Sequence, residues 1–331
     1  MRIFRLLFPA IIGLAVASAA AQSFDCAKAT EPAEKFVCAN KELSAADEKM
    51  AAAFKAAMSQ LSDEGKRRLI ESQRSWIRYD RNVAKLDVDE IKASYTGRMN
   101  ELEKTIRSAG PFRIQSVTIY KAEVSTKPQP VSASDDPDTS GGSISYSFPR
   151  IEDPVTEETE RWNRMAEQRV KAMAGEIEPG VDMNVEFSIT YASDDVISLS
   201  LSAMTYAKGA AHPNHAGAGY VVLLKSGREL RAADLFDPQS RWNSFLARGV
   251  FHSLKTQAQE EGWDLNVTAP ADLAKEVASV SRWTIEAKGL TVSFMPYEVS
   301  AYAAGPHDVT LSWTDLTPYL NKTLLFSVPL Q

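Results

Sequence analysis

Cysteine, histidine and surplus positive charge are all scarce in this chain. Its 331 residues hold two cysteines and four histidines, and 37 basic side chains are outnumbered by 43 acidic ones, for a formal charge of −6. The acidic balance argues against a nucleic-acid partner, which needs a basic face for phosphates. No H-E-x-x-H is present to mark a helical zinc site. Beyond the leader, no apolar run approaches the roughly 18 residues that cross a bilayer. What remains is 44% hydrophobic and 24% charged, which excludes a disordered tail, a collagen-like rod and a multi-span membrane protein. A chain of this length divides into about two domains.

The first residues read as an address. Arg2 and Arg5 precede an apolar run from Leu6 to Val16, then small residues ending in Ala19-Ala20-Ala21. This is the pattern of a cleavable secretory signal over 1–21. Its removal takes both arginines away and deepens the charge to −8. The expected location is the periplasm, with no membrane contact after cleavage. Cys26 and Cys38 then stand just inside the mature start, and an isolated pair in an exported protein reads as a disulfide. Closing a loop of that size stabilises by roughly 3 kcal/mol in the chain-entropy picture. Free thiols for redox or metal chemistry are the rival reading, but the spacing is not C-x-x-C.

Hydrophobic spacing divides the rest in two. Leu43, Ala46, Met50, Phe54, Met58 and Leu61 recur at helical intervals, with Ser44 and Asp47 resembling a capping box. Leu69, Ile70, Gln73, Trp76, Ile77 and Asp80 mark a second helix entered through Ser62-Asp63. Ile91, Tyr95, Met99, Leu102 and Ile106 mark a third, stopped by Ala109-Gly110-Pro111. A short helical turn is expected around Cys38. After Pro111 the period becomes two. Strands are expected at Ile114–Tyr120, Met183–Tyr191, Ile197–Ala203, Tyr220–Leu224, Trp283–Glu286, Leu290–Phe294, Val309–Trp313 and Leu324–Val328. Helices are expected at Trp162–Met173, Ser240–Gln259 and Ala271–Val280, and an exposed loop over Lys127–Gly142. Alternation within the strands predicts a sheet covered on one face. The fold class is α+β: a small, disulfide-tied, all-helical domain over 22–109, then an α+β domain over 110–331 with a mainly antiparallel sheet.

Two segments concentrate unusual residues. Tyr206 to Tyr220 holds His212, Pro213, Asn214 and His215 in a glycine-rich stretch, and His307 lies beside Asp308 after Gly305-Pro306. These could converge on a metal, but Pro213 forbids the helical i, i+4 ligand pair, and a turn whose His and Asn bind backbone is the plainer reading. The second segment, Phe294 to Pro306, interrupts a strand with prolines and sets Tyr297 and Tyr302 in a loop, where tyrosine gives contact area at little entropic cost. Other signals are weaker. Gly217-Ala-Gly219 lacks the lysine of a phosphate loop, Gly141-Gly142-Ser143 has no nucleophile elbow, and Asp135-Asp136 and Asp194-Asp195 read as solvated turns. Arg67, Arg68, Arg74, Arg78 and Arg81 read as one exposed helix face, and Trp76 and Tyr79 as core or boundary residues.

Ser23-Phe-Asp-Cys26-Ala-Lys-Ala29, Glu34-Lys-Phe-Val-Cys38, Gln73-Arg-Ser-Trp76-Ile-Arg78 and Tyr95-Thr-Gly-Arg98-Met-Asn-Glu-Leu102 together resemble the LprI-type lysozyme-inhibitor domain. That family commonly carries a second cysteine pair after Q-R-x-W, whereas here Arg81–Ile91 contains none. Further along, Ile144-Ser-Tyr-Ser-Phe-Pro149, Gly209-Ala-Ala-His212-Pro-Asn214, Ser226-Gly-Arg-Glu-Leu230 and Phe294-Met-Pro-Tyr297-Glu298 resemble the extracellular domain shared by RsiV-type lysozyme receptors and PdaC-type peptidoglycan deacetylases, outside the catalytic part of the latter. The resemblances imply a non-enzymatic binding protein without cofactor or metal, whose partner is a lysozyme-like muramidase or the peptidoglycan it acts on. The expected contacts are His212, Asn214, His215, Tyr297, Tyr302 and His307, with Cys26 and Cys38 structural. A peptidoglycan-binding accessory module and a metal-dependent wall enzyme are the alternatives.

Overall fold

The computed structural model describes residues 24–83, 87–123, 141–324 and 326. The leader, nearly all of the loop expected over 127–142 and most of the strand expected over 324–328 lie outside the described residues. Among the described residues, a 3₁₀ turn at Cys26–Lys28 is followed by four α-helices, α1 (Pro32–Ala39), α2 (Lys41–Met58), α3 (Asp63–Val83) and α4 (Val88–Glu103). Their periodic residues meet as expected. Leu43, Met50, Leu69, Trp76, Ile91 and Tyr95 share one core, with the Trp76 and Tyr95 rings 5.6 Å apart. A Cys26–Cys38 disulfide ties the first turn of chain to α1. The cap of α2 is Asn40 rather than Ser44. With α1 running to Ala39, Asn40 is the single residue left between the helices, and its Oδ1 accepts the amides of Glu42 and Leu43 at 3.0 and 3.3 Å. Ser44 Oγ donates to the Val37 carbonyl instead.

Helix α4, the third expected from the sequence, stops at Glu103, short of Ile106. Ile106–Ala109 forms a strand, β1, which turns through Gly110 at φ 54° into β2 (Phe112–Ala122). The glycine expected to end a helix therefore makes a hairpin. β3 (Ser143–Asp153) follows, then α5 (Glu157–Ala174), β4 (Val181–Ala192), β5 (Val196–Ala207), β6 (Asn214–Leu223) and β7 (Arg228–Glu229). The seven strands lie in sequence order. All pairs are antiparallel except β3–β4, which is parallel and bridged by α5. Then come α6 (Ala232–Leu235), α7 (Trp242–Glu261), α8 (Ala274–Val277), β8 (Trp283–Ile285), β9 (Gly289–Phe294), β10 (His307–Ser312) and α9 (Trp313–Leu316), with the strands in a small antiparallel sheet of order β10-β9-β8. The helix expected over Ala271–Val280 is instead a 3₁₀ turn, Pro270–Leu273, running into the single turn of α8.

The sheet is covered on both faces over β6, not on one. Tyr220, Val222 and Leu224 join the core built on Trp162, Ala166 and Val170 of α5, whereas Val221 and Leu223 join the core of α7 and the small sheet. A continuous apolar run such as Tyr220–Leu224 is the mark of a strand buried on both sides. The second layer sits very close: a Cβ on Gly219 would stand 1.8 Å from the Trp283 carbonyl oxygen.

The helical module is seated on the sheet through α3. The Ser62 amide donates to Glu152 Oε2 at 2.8 Å, and the Gln115 side-chain amide donates to the Gly65 carbonyl at 2.9 Å. Glu152 also pairs with Arg150, and both side chains are almost wholly buried. Arg68 reaches Glu167 of α5 at 3.1 Å in a more open position.

His307 opens β10 and faces inward with Val309, because the strand alternates and sends Asp308 and Thr310 outward. It is 4% exposed, its Nε2 lies 2.7 Å from Ser300 Oγ, and its ring packs 4.1 Å from that of Trp263. Burial holds its pKa below the ordinary 6.5, outweighing the nearby charges of Glu261 and Asp308.

Removing Glu152 leaves the buried Arg150 with only the more open Glu160 at 3.1 Å and leaves the Ser62 amide without its acceptor, so Glu152→Ala should cost about 2 kcal/mol or more in a denaturant titration. Arg68→Ala should cost at most about 1 kcal/mol. For His307 the unfolded chain takes up the proton more readily than the native one. Its stabilising contribution is therefore complete above pH 6.5 and is lost as pH falls below that value. The urea midpoint should drop between pH 7 and pH 5, and the drop should be shallower in His307→Gln.

Candidate functional site

The turn between β9 and β10 carries both tyrosines singled out in the sequence. Arg282 grips Glu298 through two hydrogen bonds of 2.6 and 2.8 Å, and Glu298 Oε2 accepts the Met295 amide at 2.7 Å. Burial works to raise the Glu298 carboxyl. The hydrogen bonds from Arg282 and Met295, with the Arg282 charge, outweigh it and hold the group below its usual range. The clamp is thus ionised and closed throughout the neutral range. Within it Tyr297 adopts φ 74°, the left-handed region that costs a non-glycine residue on the order of 1 kcal/mol. This conformation leaves its side chain 61% exposed.

Tyr302 stands beside it, with ring centroids 5.4 Å apart. Its hydroxyl donates to the Pro213 carbonyl at 2.9 Å, and its ring stacks on His212 at 4.0 Å and lies 6.0 Å from His215. The Tyr297 hydroxyl lies 3.4 Å from His212 Nε2. The loop expected to hold Asn214 and His215 ends at Pro213; both residues are exposed at the start of β6. Met204, 43% exposed, pairs across the sheet with His215, and Met295 lies against Gly217, where a Cβ would meet its methyl carbon at 2.6 Å. His212, Asn214, His215, Tyr297 and Tyr302 thus gather on one surface. His307 does not join them, being buried under Trp263. Tyr297 and Met204 are two of only three exposed large hydrophobic residues among those described. Met204 was missed in the sequence because it follows Ser198, Ser200 and Ser202 on the face opposite the apolar run of the strand.

Chemically, the patch offers ring faces, hydroxyl and imidazole tips and a carboxamide, a set suited to contact and hydrogen bonding. Among the described residues no group of three or more His, Cys, Asp or Glu could hold a metal ion. None of the described helices is long and apolar enough to cross a membrane.

The helical module has its own buried signature. Arg98, 3% exposed, donates through Nε to Gln73 Oε1 at 2.9 Å, through Nη2 to Ser72 Oγ at 3.0 Å and through Nη1 to Glu101 at 2.8 Å. Gln73, Trp76 and Arg98 of the sequence pattern are thus parts of the internal framework.

Residues 26–111 match the family model described as lysozyme inhibitor LprI, a span that covers the four helices and β1. Residues 233–314 match the model of a protein family of unknown function, DUF3298, a span that includes the tyrosine turn but not His212–His215. No curated protein matches the chain. Among solved structures, a DUF3298-family protein from Pseudomonas aeruginosa PAO1 is 12% identical, with 65% of this chain and 97% of that one covered at a TM-score of 0.46. Another from Bacteroides fragilis is 13% identical, with 65% and 96% covered and a TM-score of 0.45. The chain thus couples an LprI-type module over 26–111 to a DUF3298-type module over 233–314.

Proposed function

We propose that this is an exported, periplasmic lysozyme-binding protein that inhibits a lysozyme-like muramidase by occluding its glycan cleft, without catalysis of its own. The match of residues 26–111 to the lysozyme inhibitor family carries the reading. The tyrosine turn supports the mode of action. A cleft that accepts sugar rings is filled well by aromatic rings with hydroxyl tips, and Tyr297 is projected outward on a turn already held by the Arg282–Glu298 clamp. A segment ordered before contact loses little conformational entropy on binding. The resemblance of the second half to lysozyme-receptor domains points the same way. The net negative charge favours encounter with a basic lysozyme.

In a turbidimetric assay of wall lysis, the mature chain at micromolar concentration should slow lysozyme, and the association rate should fall as salt is raised. The double variant Tyr297→Ala/Tyr302→Ala should weaken inhibition by about tenfold or more, as removal of central aromatic anchors does. Inhibition unchanged by that variant would assign the contact to the helical module. No inhibition, together with co-sedimentation on purified peptidoglycan, would replace the reading by that of a wall-binding module.

A further inference from the structure

A recess lies where the helical module meets the sheet. It encloses about 230 Å³, and its walls come from α3, α4, β1, β2, β3 and β4. Its floor is the Arg98–Glu101 pair, in which three of the five guanidinium N–H donors are taken by Gln73, Ser72 and Glu101. Glu101 is itself engaged a second time, by the Tyr120 hydroxyl. At the mouth, Arg107 of β1 lies over the Phe187 ring of β4 at 4.6 Å. Among the described residues no carboxylate lies within ion-pairing distance of it, and the surrounding protein lowers its pKa by desolvation. Lys104 stands nearby on the same rim. The sheet wall supplies hydroxyls at Ser116, Thr118 and Ser147, the last two hydrogen-bonded to each other at 3.1 Å.

This combination is specific in its chemistry. With Arg98 and Glu101 paired to each other, Lys104 and Arg107 line the recess against Glu186 alone. A guanidinium stacked on an aromatic face keeps its donor edge free and oriented for a bidentate anion. Ordered hydroxyls on adjacent strands offer both donors and acceptors to a polyol.

We propose that the recess between the modules binds a carboxylate-bearing sugar, with Arg107 and Lys104 holding the carboxylate and the Ser116, Thr118 and Ser147 hydroxyls meeting the ring. The volume suits one sugar unit. The inference rests on the recess alone and is independent of lysozyme binding.

Calorimetry and thermal melting of the mature chain should be run with three probes: N-acetylmuramic acid, N-acetylglucosamine (the same ring without the carboxylate) and inorganic phosphate. The acidic sugar should bind and raise Tm, at least about tenfold more tightly than either comparison. Arg107→Gln should remove most of that preference while melting as the parent does without ligand. Lys104→Gln, on an exposed rim position, serves the same purpose should the first variant alter folding. Equal binding of N-acetylglucosamine would overturn the carboxylate contact, and equal binding of phosphate would reduce the recess to a general anion site. Unchanged affinity in both variants, or no binding of the acidic sugar at millimolar concentration, would overturn the proposal outright.

Discussion

A buried carboxylate holds the two halves of this molecule in register. Glu152 lies at the end of β3, shielded from water, and must be satisfied on more than one side. Arg150 supplies the opposite charge, and the Ser62 amide supplies a hydrogen bond from the entry to α3. The Ser62 donor belongs to the other module, so the helices cannot slide along the sheet without leaving the buried carboxylate one hydrogen bond short. Gly65 completes the seat, because its missing side chain is what lets α3 come down onto the carboxylate. Gln115 then takes the Gly65 carbonyl. The joint is a set of directional bonds, which specify one docking pose more sharply than an apolar contact of similar area would.

The same logic of close approach governs the far side of the sheet. Gly219 has no room for a side chain beneath the Trp283 backbone, and Gly217 has little beneath Met295. These two glycines, which lack the lysine of a phosphate loop, admit the second layer. That layer's position decides where the β9–β10 turn emerges, and hence that Tyr302 lands on Pro213 and His212. Packing on one face of the strand sets the surface presented nearby.

Much of this was legible beforehand, for physical reasons that differ by element. The helices α2 and α3 and the strands β4 and β5 announce themselves because each buries one face and exposes the other, so the period of the pattern is the period of the structure. β3 was not foreseen as a strand: it is buried along most of its second half, where Pro149, Arg150 and Glu152 interrupt the apolar alternation, the two charged residues being held by the joint they build. β1 was hidden by Ile106, which continues the spacing of α4 by chance of register. The convergence of His212 with Tyr297 and Tyr302 joins segments some 85 residues apart, and composition alone suggested each segment without showing that they touch. His307 carried the same chemical suggestion, yet strand alternation turns it inward. Residue type marks what a position can do, and only the pleat decides whether it faces a partner.

Strain and rigidity at Tyr297 have a joint meaning. A tyrosine at positive φ is worse than a glycine there by its own backbone energy, so the turn persists only because the surrounding bonds over-determine it. Those bonds are the Arg282–Glu298 pair and the Met295 amide, all formed without a partner present. The cost of holding the ring outward is therefore met in folding and not at the moment of contact. A surface prepared in this way gives up flexibility, which suits one recurrent partner shape better than many. An aromatic ring fixed in solvent by a charged clamp is hard to account for by stability alone, since turning it inward would gain burial and relieve the backbone; it is the combination, more than the presence of tyrosine, on which the contact proposed for this turn rests.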